Sequence, residues 1–354
     1  MKLKFYLEVK EMKKFLLIGI ILLICISGIM VDLIECSSST SIHTGKISGV
    51  IKASWPGVGF RPSAARIDIL DTGLFTISSS YGNYIIYNVP AGEHTIMVLK
   101  HGYLPAQKII TLSEGQKVTD VDFNLGVKKL GVKEPKERLG GVSYLSFNLD
   151  YQPLNNLKVR QAMNYAINKK ALVDKINSKF GHKLVEAQSS LPPNMIGHNP
   201  NLVGYPYNVN KAKELLSQAG YPKGFNVDLY YTKGNKISEF ITKEVKVYLA
   251  QMGIKVDRKG KNWDQLLNMI EQGKLPFFIL GWSADTPDPA DYLYSLYHSK
   301  GVANLSHYYN SMIDNQIKQA WETIDDAEFV QLIQQIEKTI VDDAPAIYLY
   351  YYFR

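Results

Sequence analysis

Hydrophobic and polar positions change rhythm along this chain. Over 15–31 they form one unbroken apolar run, preceded by Lys2, Lys4, Lys10, Lys13 and Lys14. From Gly45 to Leu125 the rhythm is two. It shows in Ile47-Ser48-Gly49-Val50-Ile51, Ala65-Arg66-Ile67-Asp68-Ile69, Tyr84-Ile85-Ile86-Tyr87, Thr95-Ile96-Met97-Val98-Leu99 and Val118-Thr119-Asp120-Val121-Asp122-Phe123. Turn residues such as Pro90-Ala91-Gly92 and His101-Gly102-Tyr103 separate the runs. Short strands at regular intervals predict an all-β sandwich over 45–126.

From Gly141 onward two rhythms alternate. Tyr144-Leu145-Ser146-Phe147-Asn148 reads as a strand, and Val159, Ala162, Met163, Ala166 and Ile167 then recur at helical spacing. Asn168 is placed to cap a second helix, and Asn210 a third that stops at Gly220. Further strands are expected over 227–231, 254–257 and 277–280. Helices are expected over 237–252, 263–271, 312–323 and 326–341. A tyrosine-rich strand over 346–353 closes the chain; its tyrosines should alternate between core and surface. Strands alternating with helices predict an α/β layer with largely parallel pairing. The charged stretch 127–140 marks the boundary between the sandwich and this layer. The chain thus reads as multidomain: an N-terminal apolar helix, an all-β sandwich, then an α/β lobe.

Charge and composition narrow the function classes. A net charge of +7 over 354 residues is mild, and no dense basic stripe is interleaved with aromatics, which argues against a nucleic-acid partner. The only cysteines, Cys25 and Cys36, lie in or beside the apolar run, so no disulfide framework or thiolate metal site is expected downstream. The seven histidines lack zinc-site spacing. The lysines before the apolar run keep that end cytoplasmic and send the rest outward. As a helix the run spans ~26 Å, short of a ~30 Å hydrocarbon core but longer than an ordinary signal core. Residues 1–36 are therefore read as a signal peptide or a membrane anchor, and 37–44 as a polar spacer. Ile24 and Glu35, preceding the two cysteines, do not suit lipidation. The chain is expected to be extracytoplasmic, either membrane-anchored or secreted.

The segment Gly281-Trp282-Ser283-Ala284-Asp285-Thr286-Pro287-Asp288-Pro289-Ala290-Asp291 carries the candidate chemistry. It reads as a stiff acidic-aromatic loop after a buried strand. Trp282 offers a flat apolar face, Asp285 a carboxylate for a cationic group, and the prolines reduce the entropy lost on binding. Asp288 and Asp291 are expected as turn and helix-cap residues, and Arg160 as an anchor of the lobe through an internal ion pair. No Gly-x-Ser-x-Gly elbow, phosphate-cradling glycine loop or His-Glu-x-x-His motif occurs. The acidic segment also lacks the Asp-x-Asp-x-Asp-Gly pattern of a calcium loop. No catalysis, cofactor or metal is expected.

Two resemblances give these readings a family context. Gly49-Val50, Gly82-Asn83-Tyr84, Asn88-Val89-Pro90-Ala91-Gly92 and Gly102-Tyr103 resemble the carboxypeptidase regulatory-like family, a transthyretin-like sandwich that commonly serves as a spacer or adhesive unit. The second resemblance is to solute-binding proteins of family 5, the di- and oligopeptide-binding components of ABC transporters. Four segments carry it. They are 153–168 with Arg160-Gln161-Ala162-Met163-Asn164-Tyr165-Ala166-Ile167-Asn168, 207–221 with Asn210-Lys211-Ala212, the segment at Gly281-Trp282-Ser283-Ala284-Asp285, and Asp343-Ala344-Pro345-Ala346-Ile347-Tyr348. The resemblance implies one lobe of a periplasmic-binding-protein-like type II fold over 141–354, without the family's first lobe. It implies that Trp282, Ser283, Ala284 and Asp285 meet the ligand, with Asp285 pairing the peptide's α-ammonium. The implied partners are an oligopeptide or other small solute, an ABC permease, and a separate chain supplying the facing lobe. The alternative is an incomplete remnant or a surface interaction module without transport activity.

Overall fold

Period-two alternation does become a sandwich. The computed structural model describes residues 44–55, 58–60, 64–79, 81–101, 103–126, 140–283, 288–323 and 325–352. The expected N-terminal segment, nearly all of the spacer and linker, and Ala284 and Asp285 lie outside the described residues. Among the described residues no helix is long and apolar enough to cross a membrane. In chain order the first strands are β1 (Gly45–Trp55), β2 (Val58–Phe60), β3 (Arg66–Ile69), β4 (Phe75–Ile77), β5 (Asn83–Val89), β6 (Gly92–Leu99), β7 (Ala106–Leu112), β8 (Lys117–Val118) and β9 (Phe123–Leu125). One sheet is built on β1 with β2, β5, β8 and β9; the other runs β4-β3-β6-β7. Ile47, Ile51, Ile67, Ile69, Ile86, Ile96 and Val98 point inward from both sheets and form one core. The expected strand over 118–123 is split between β8 and β9, with Asp120 turning the chain between them at a positive φ of 60°.

The lobe follows as β10 (Gly141–Phe147), α1 (Leu157–Tyr165), α2 (Lys169–Phe180), β11 (Val185–Glu186), α3 (Val209–Gln218), β12 (Asn226–Thr232), α4 (Lys236–Ala250) and β13 (Lys255–Lys261). It continues with α5 (Trp263–Glu271), β14 (Phe277–Ser283), α6 (Pro289–Tyr297), α7 (Ser311–Glu322), α8 (Asp326–Asp343) and β15 (Ala346–Tyr352). These strands form a single sheet in the order β11-β15-β10-β14-β12-β13. Helices α1 to α4 contribute Met163, Leu216, Val245 and Leu249 to a core on one face. Helices α6 to α8 contribute Leu293, Ile313, Ile333 and Ile336 to a core on the other. A strand covered on both faces has no solvent side, and all seven residues of β10 are buried, Ser143 and Ser146 included.

Several expectations are corrected here. Pairing is mixed, not largely parallel: β12 is parallel to β13 and β14, but β10 runs antiparallel to both β14 and β15. Only β12, β13 and β14 follow one another through single helices, α4 and α5; β10 is separated in the chain from both β14 and β15 by several elements. Asn208, not Asn210, caps α3, its side chain accepting from Lys211 N at 2.9 Å. Asn168 caps α2 as expected. The tyrosines of β15 are not left on a surface: Tyr348, Tyr350 and Tyr351 are all buried. A register shift between Ser143 and Tyr144 leaves Leu349 without a partner in β10. Leu349 and Tyr350 consequently turn to the same core, and Tyr348 and Tyr351 to the other.

Arg160 does anchor the lobe, but not through an ion pair. Its four hydrogen bonds go to backbone carbonyls: Ala344 at 3.0 Å, Leu154 and Asn155 at 3.0 Å, and Asp343 at 2.7 Å. The first and last of these belong to the C-terminal end of α8. The guanidinium thus satisfies carbonyls that a helix end leaves unpaired, where the helix dipole also favours a cation.

Candidate functional site

Hydrogen bonding along β14 decides where the acidic-aromatic segment begins. Gly281, Trp282 and Ser283 are strand residues, paired with Ser143, Val142 and Gly141 of β10. The loop therefore begins after Ser283, and Trp282 is a tryptophan near the end of a strand. Trp282 is half-buried and packs against the core that contains Val142, Tyr144 and Leu293. Ser283 is also half-buried, its hydroxyl 3.1 Å from the Tyr352 hydroxyl of β15. Gly141 makes this end of the sheet possible. A Cβ there would meet the Tyr352 ring at 2.5 Å and the Trp282 carbonyl at 2.6 Å.

The other end of the segment is also structured. Asp288 is the N-cap of α6 and Pro289 its first helical residue. Asp288 Oδ1 accepts from Ala290 N at 2.7 Å and Asp291 N at 3.3 Å. A cap followed by proline is a local helix-start signal. The turn-and-cap expectation for Asp288 and Asp291 therefore holds at Asp288. Asp291 is not a cap. It lies buried in the first turn of α6, and its Oδ1 accepts from Trp321 Nε1 of α7 at 3.2 Å. Ala284 and Asp285 fall between Ser283 and Asp288, outside the described residues.

A residue that the sequence did not single out meets both carboxylates. Lys100, at the turn after β6 of the sandwich, places Nζ 2.6 Å from Asp288 Oδ2 and 3.1 Å from Asp291 Oδ2. Only 2% of its side chain and 2% of that of Asp288 are exposed, so the pair is desolvated. Burial by itself would push the ammonium pKa down; the charges and hydrogen bonds of Asp288 and Asp291 outweigh that and hold it above the usual lysine range. Next to it, His101 stacks on Phe329 of α8, with ring centroids 3.5 Å apart and planes 9° apart. His101 Nε2 also lies 2.6 Å from the Thr323 carbonyl that ends α7. Lys100 and Asp291 stand 191 residues apart, so no local pattern announces their contact.

Of the segment's described groups, Trp282 and Ser283 stay partly exposed at the end of β14, while the carboxylates of Asp288 and Asp291 are buried against Lys100. Among the described residues no group of three or more His, Cys, Asp or Glu is gathered to hold a metal ion. A cavity beside β10, lined by Tyr144, Ser146, Leu296, Tyr297, Ala303 and Ala346, has about 10 Å³, room for a single water and not for a solute.

Comparison with known proteins bears on this geometry. The family described as bacterial extracellular solute-binding proteins, family 5 Middle, matches residues 102–304. That span takes in the turn after Lys100, the sheet through β14 and all of α6. Heme-binding protein A of Haemophilus influenzae is 32% identical over 212 residues, 58% of this chain and 38% of its own. The dipeptide-binding protein of Escherichia coli is 31% identical over 217 residues, 58% of this chain and 39% of its own. The chain thus spans about two fifths of the length of these relatives. Among solved structures, the ABC transporter-associated periplasmic binding protein DppA from Helicobacter pylori, in complex with the peptide STSA, shares the fold. It superposes with a TM-score of 0.57 at 22% identity, over 75% of this chain and 56% of its own.

Proposed function

Because the chain belongs to the bacterial extracellular solute-binding proteins of family 5, we propose that it is a substrate-binding component of an ABC transporter. It captures an oligopeptide and does not transform it. The observation that carries this reading is the segment 281–291. An aromatic strand end and an acidic helix cap bracket Ala284 and Asp285 within the span that the family matches. Relatives named for dipeptide binding support the choice of ligand class.

In this reading Asp285 accepts the peptide's α-ammonium, a charge-assisted bond of roughly 1.5–3 kcal/mol. Trp282 packs on the peptide, and Ser283 and Ala284 carry backbone groups alongside it. A permease receives the ligand, and a separate chain supplies the facing lobe. The basic-apolar segment at the start keeps the chain extracytoplasmic, as an anchor or a signal peptide, and the sandwich is a regulatory-like module.

Calorimetry of the full chain with di- to pentapeptides tests this. Peptides with a free amino terminus are expected to bind. N-acetylation and Asp285→Ala should each weaken binding by about 10- to 150-fold, the equivalent of the lost bond. Absence of binding by any peptide, or indifference to both changes, would overturn the proposal and leave the interaction-module reading.

A further inference from the structure

The mild net charge conceals a division. Residues 140–261, which carry α1 to α4, hold 18 Lys and Arg against eight Asp and Glu. Residues 288–352, which carry α6 to α8, hold three against ten. The first group of helices packs on one face of the sheet and the second on the other. The lobe is therefore basic on one side and acidic on the other, while the sandwich, with seven against six over 45–126, adds almost nothing. The basic side is well defined where α2 and α4 meet. Phe180 and Phe240 pack edge to face there, with ring centroids 5.8 Å apart, and Lys175 pairs with Glu244 across the same seam. Around it Lys179 and Lys183 at the end of α2, and Lys236, Lys243 and Lys246 along α4, are all exposed. The two helices carry three carboxylates. Lys170 pairs with Asp174, Lys175 with Glu244, and Glu239 accepts from Gly234 N. An excess of lysine remains over the whole face.

We propose that the α2–α4 face docks electrostatically on an anionic phospholipid bilayer, with the acidic α6–α8 face held away from it. Lipid phosphates attract the first face and repel the second, so both charges act in the same sense. The kind of cation fits this partner. Every exposed cation on α2 and α4 is a lysine, a point charge on a flexible stem that suits charge spread over a surface; planar, bidentate recognition would call for arginine. The face also lacks what a protein partner needs. A protein interface has an apolar, aromatic-rich centre inside a polar rim. Of the large hydrophobic side chains exposed among the described residues, α2 and α4 contribute only Val247. Exposed charges are screened beyond about 8–10 Å, so lysines beside the bilayer bind it and those across the lobe do not. The inference concerns where the protein stands, not what it captures, and it needs no ligand at the end of β14.

Sedimentation of the full chain with phosphatidylcholine vesicles, with and without about 30% phosphatidylglycerol, tests this. The wild type should partition at least tenfold more strongly onto the anionic vesicles, and about 0.5 M sodium chloride should remove most of that preference. The triple variant Lys183→Glu, Lys243→Glu, Lys246→Glu should lower the preference about tenfold. The control variant Lys300→Glu, Lys318→Glu, Lys338→Glu makes the same change in net charge on the acidic side, and should lower it by less than about twofold. The apolar run at 15–31 and the lysines before it are the same in every variant, so whatever they contribute is common to all. Should the first triple lose the circular dichroism of the wild type, the corresponding Lys→Gln triple replaces it, with a fall of about threefold expected. Equal losses in the two triples would mean that total charge acts and not this face. No loss in the first would assign vesicle binding to the N-terminal segment and leave the face to an acidic protein. Either result, or a wild type indifferent to phosphatidylglycerol, overturns the proposal.

Discussion

Glu337 sits mid-helix in α8 with 1% of its surface exposed. Ser189 Oγ donates to one carboxylate oxygen, and Asn199 N donates to the other at 3.3 Å. Tyr351 OH lies 3.0 Å from the same serine oxygen. Burial dominates these hydrogen bonds and raises the carboxyl pKa from 4.5 to about 7. The sign follows directly. Between those two values the folded chain binds more protons than the unfolded chain, so stability falls as pH rises through the window, and the loss is complete above about 7. Glu337→Gln should flatten this slope. Urea midpoints measured at pH 5 and pH 8 should differ less in the variant than in the wild type; equal differences would mean that Glu337 is not the group responsible. Lys100 is the opposite case at this scale, a buried charge that its partners keep ionised. Arg160 is a third, a buried cation whose partners are carbonyls. Its burial was legible from the helical spacing around it, but the identity of its partners was not.

At the scale of elements, local rules worked where the interaction is local. The helix at 263–271 was read with its bounds, and the caps Asn168 and Asp288 act as the residue types suggest. The cap reading points to a helix start near Asp288-Pro289, but no apolar rhythm gives the extent of α6 over 289–297. Strand β14 runs three residues further than its apolar run, because β10 continues to pair with Gly281, Trp282 and Ser283 whatever their hydropathy. That extension depends on Gly141. Gly141→Ala would push a Cβ against the Tyr352 ring and the Trp282 carbonyl. We expect it to cost about 1–3 kcal/mol, as overpacking does. We also expect it to shift tryptophan emission, since Trp282 must move. Wild-type emission together with a wild-type denaturation midpoint would show that this end of the sheet tolerates the methyl group.

At the scale of the molecule, sandwich and lobe belong to one compact unit. Separately they would unfold as two domains; joined through a desolvated Lys100–Asp288–Asp291 cluster and the His101–Phe329 stack, they should unfold together. Scanning calorimetry is expected to show one endotherm for these parts in the wild type and two in Lys100→Met. Two endotherms in the wild type would mean that the joint is too weak to couple them.

Hydropathy rhythm, caps and turn residues by themselves determined the two classes of fold and nearly every element of the lobe; the family, and the segment at 281–291 as its ligand-meeting part, came from the resemblance of four short motifs. All of these are written within a few residues of one another, where period and backbone chemistry act. Tertiary structure alone decided that β10 runs antiparallel between β14 and β15, that Trp282 and Ser283 are strand residues, and that Arg160 binds the end of α8. It alone brought Lys100 to Asp288 and Asp291. Strand neighbours and the partners of buried charges are chosen by packing and desolvation between residues far apart in the chain, and no local pattern records that choice.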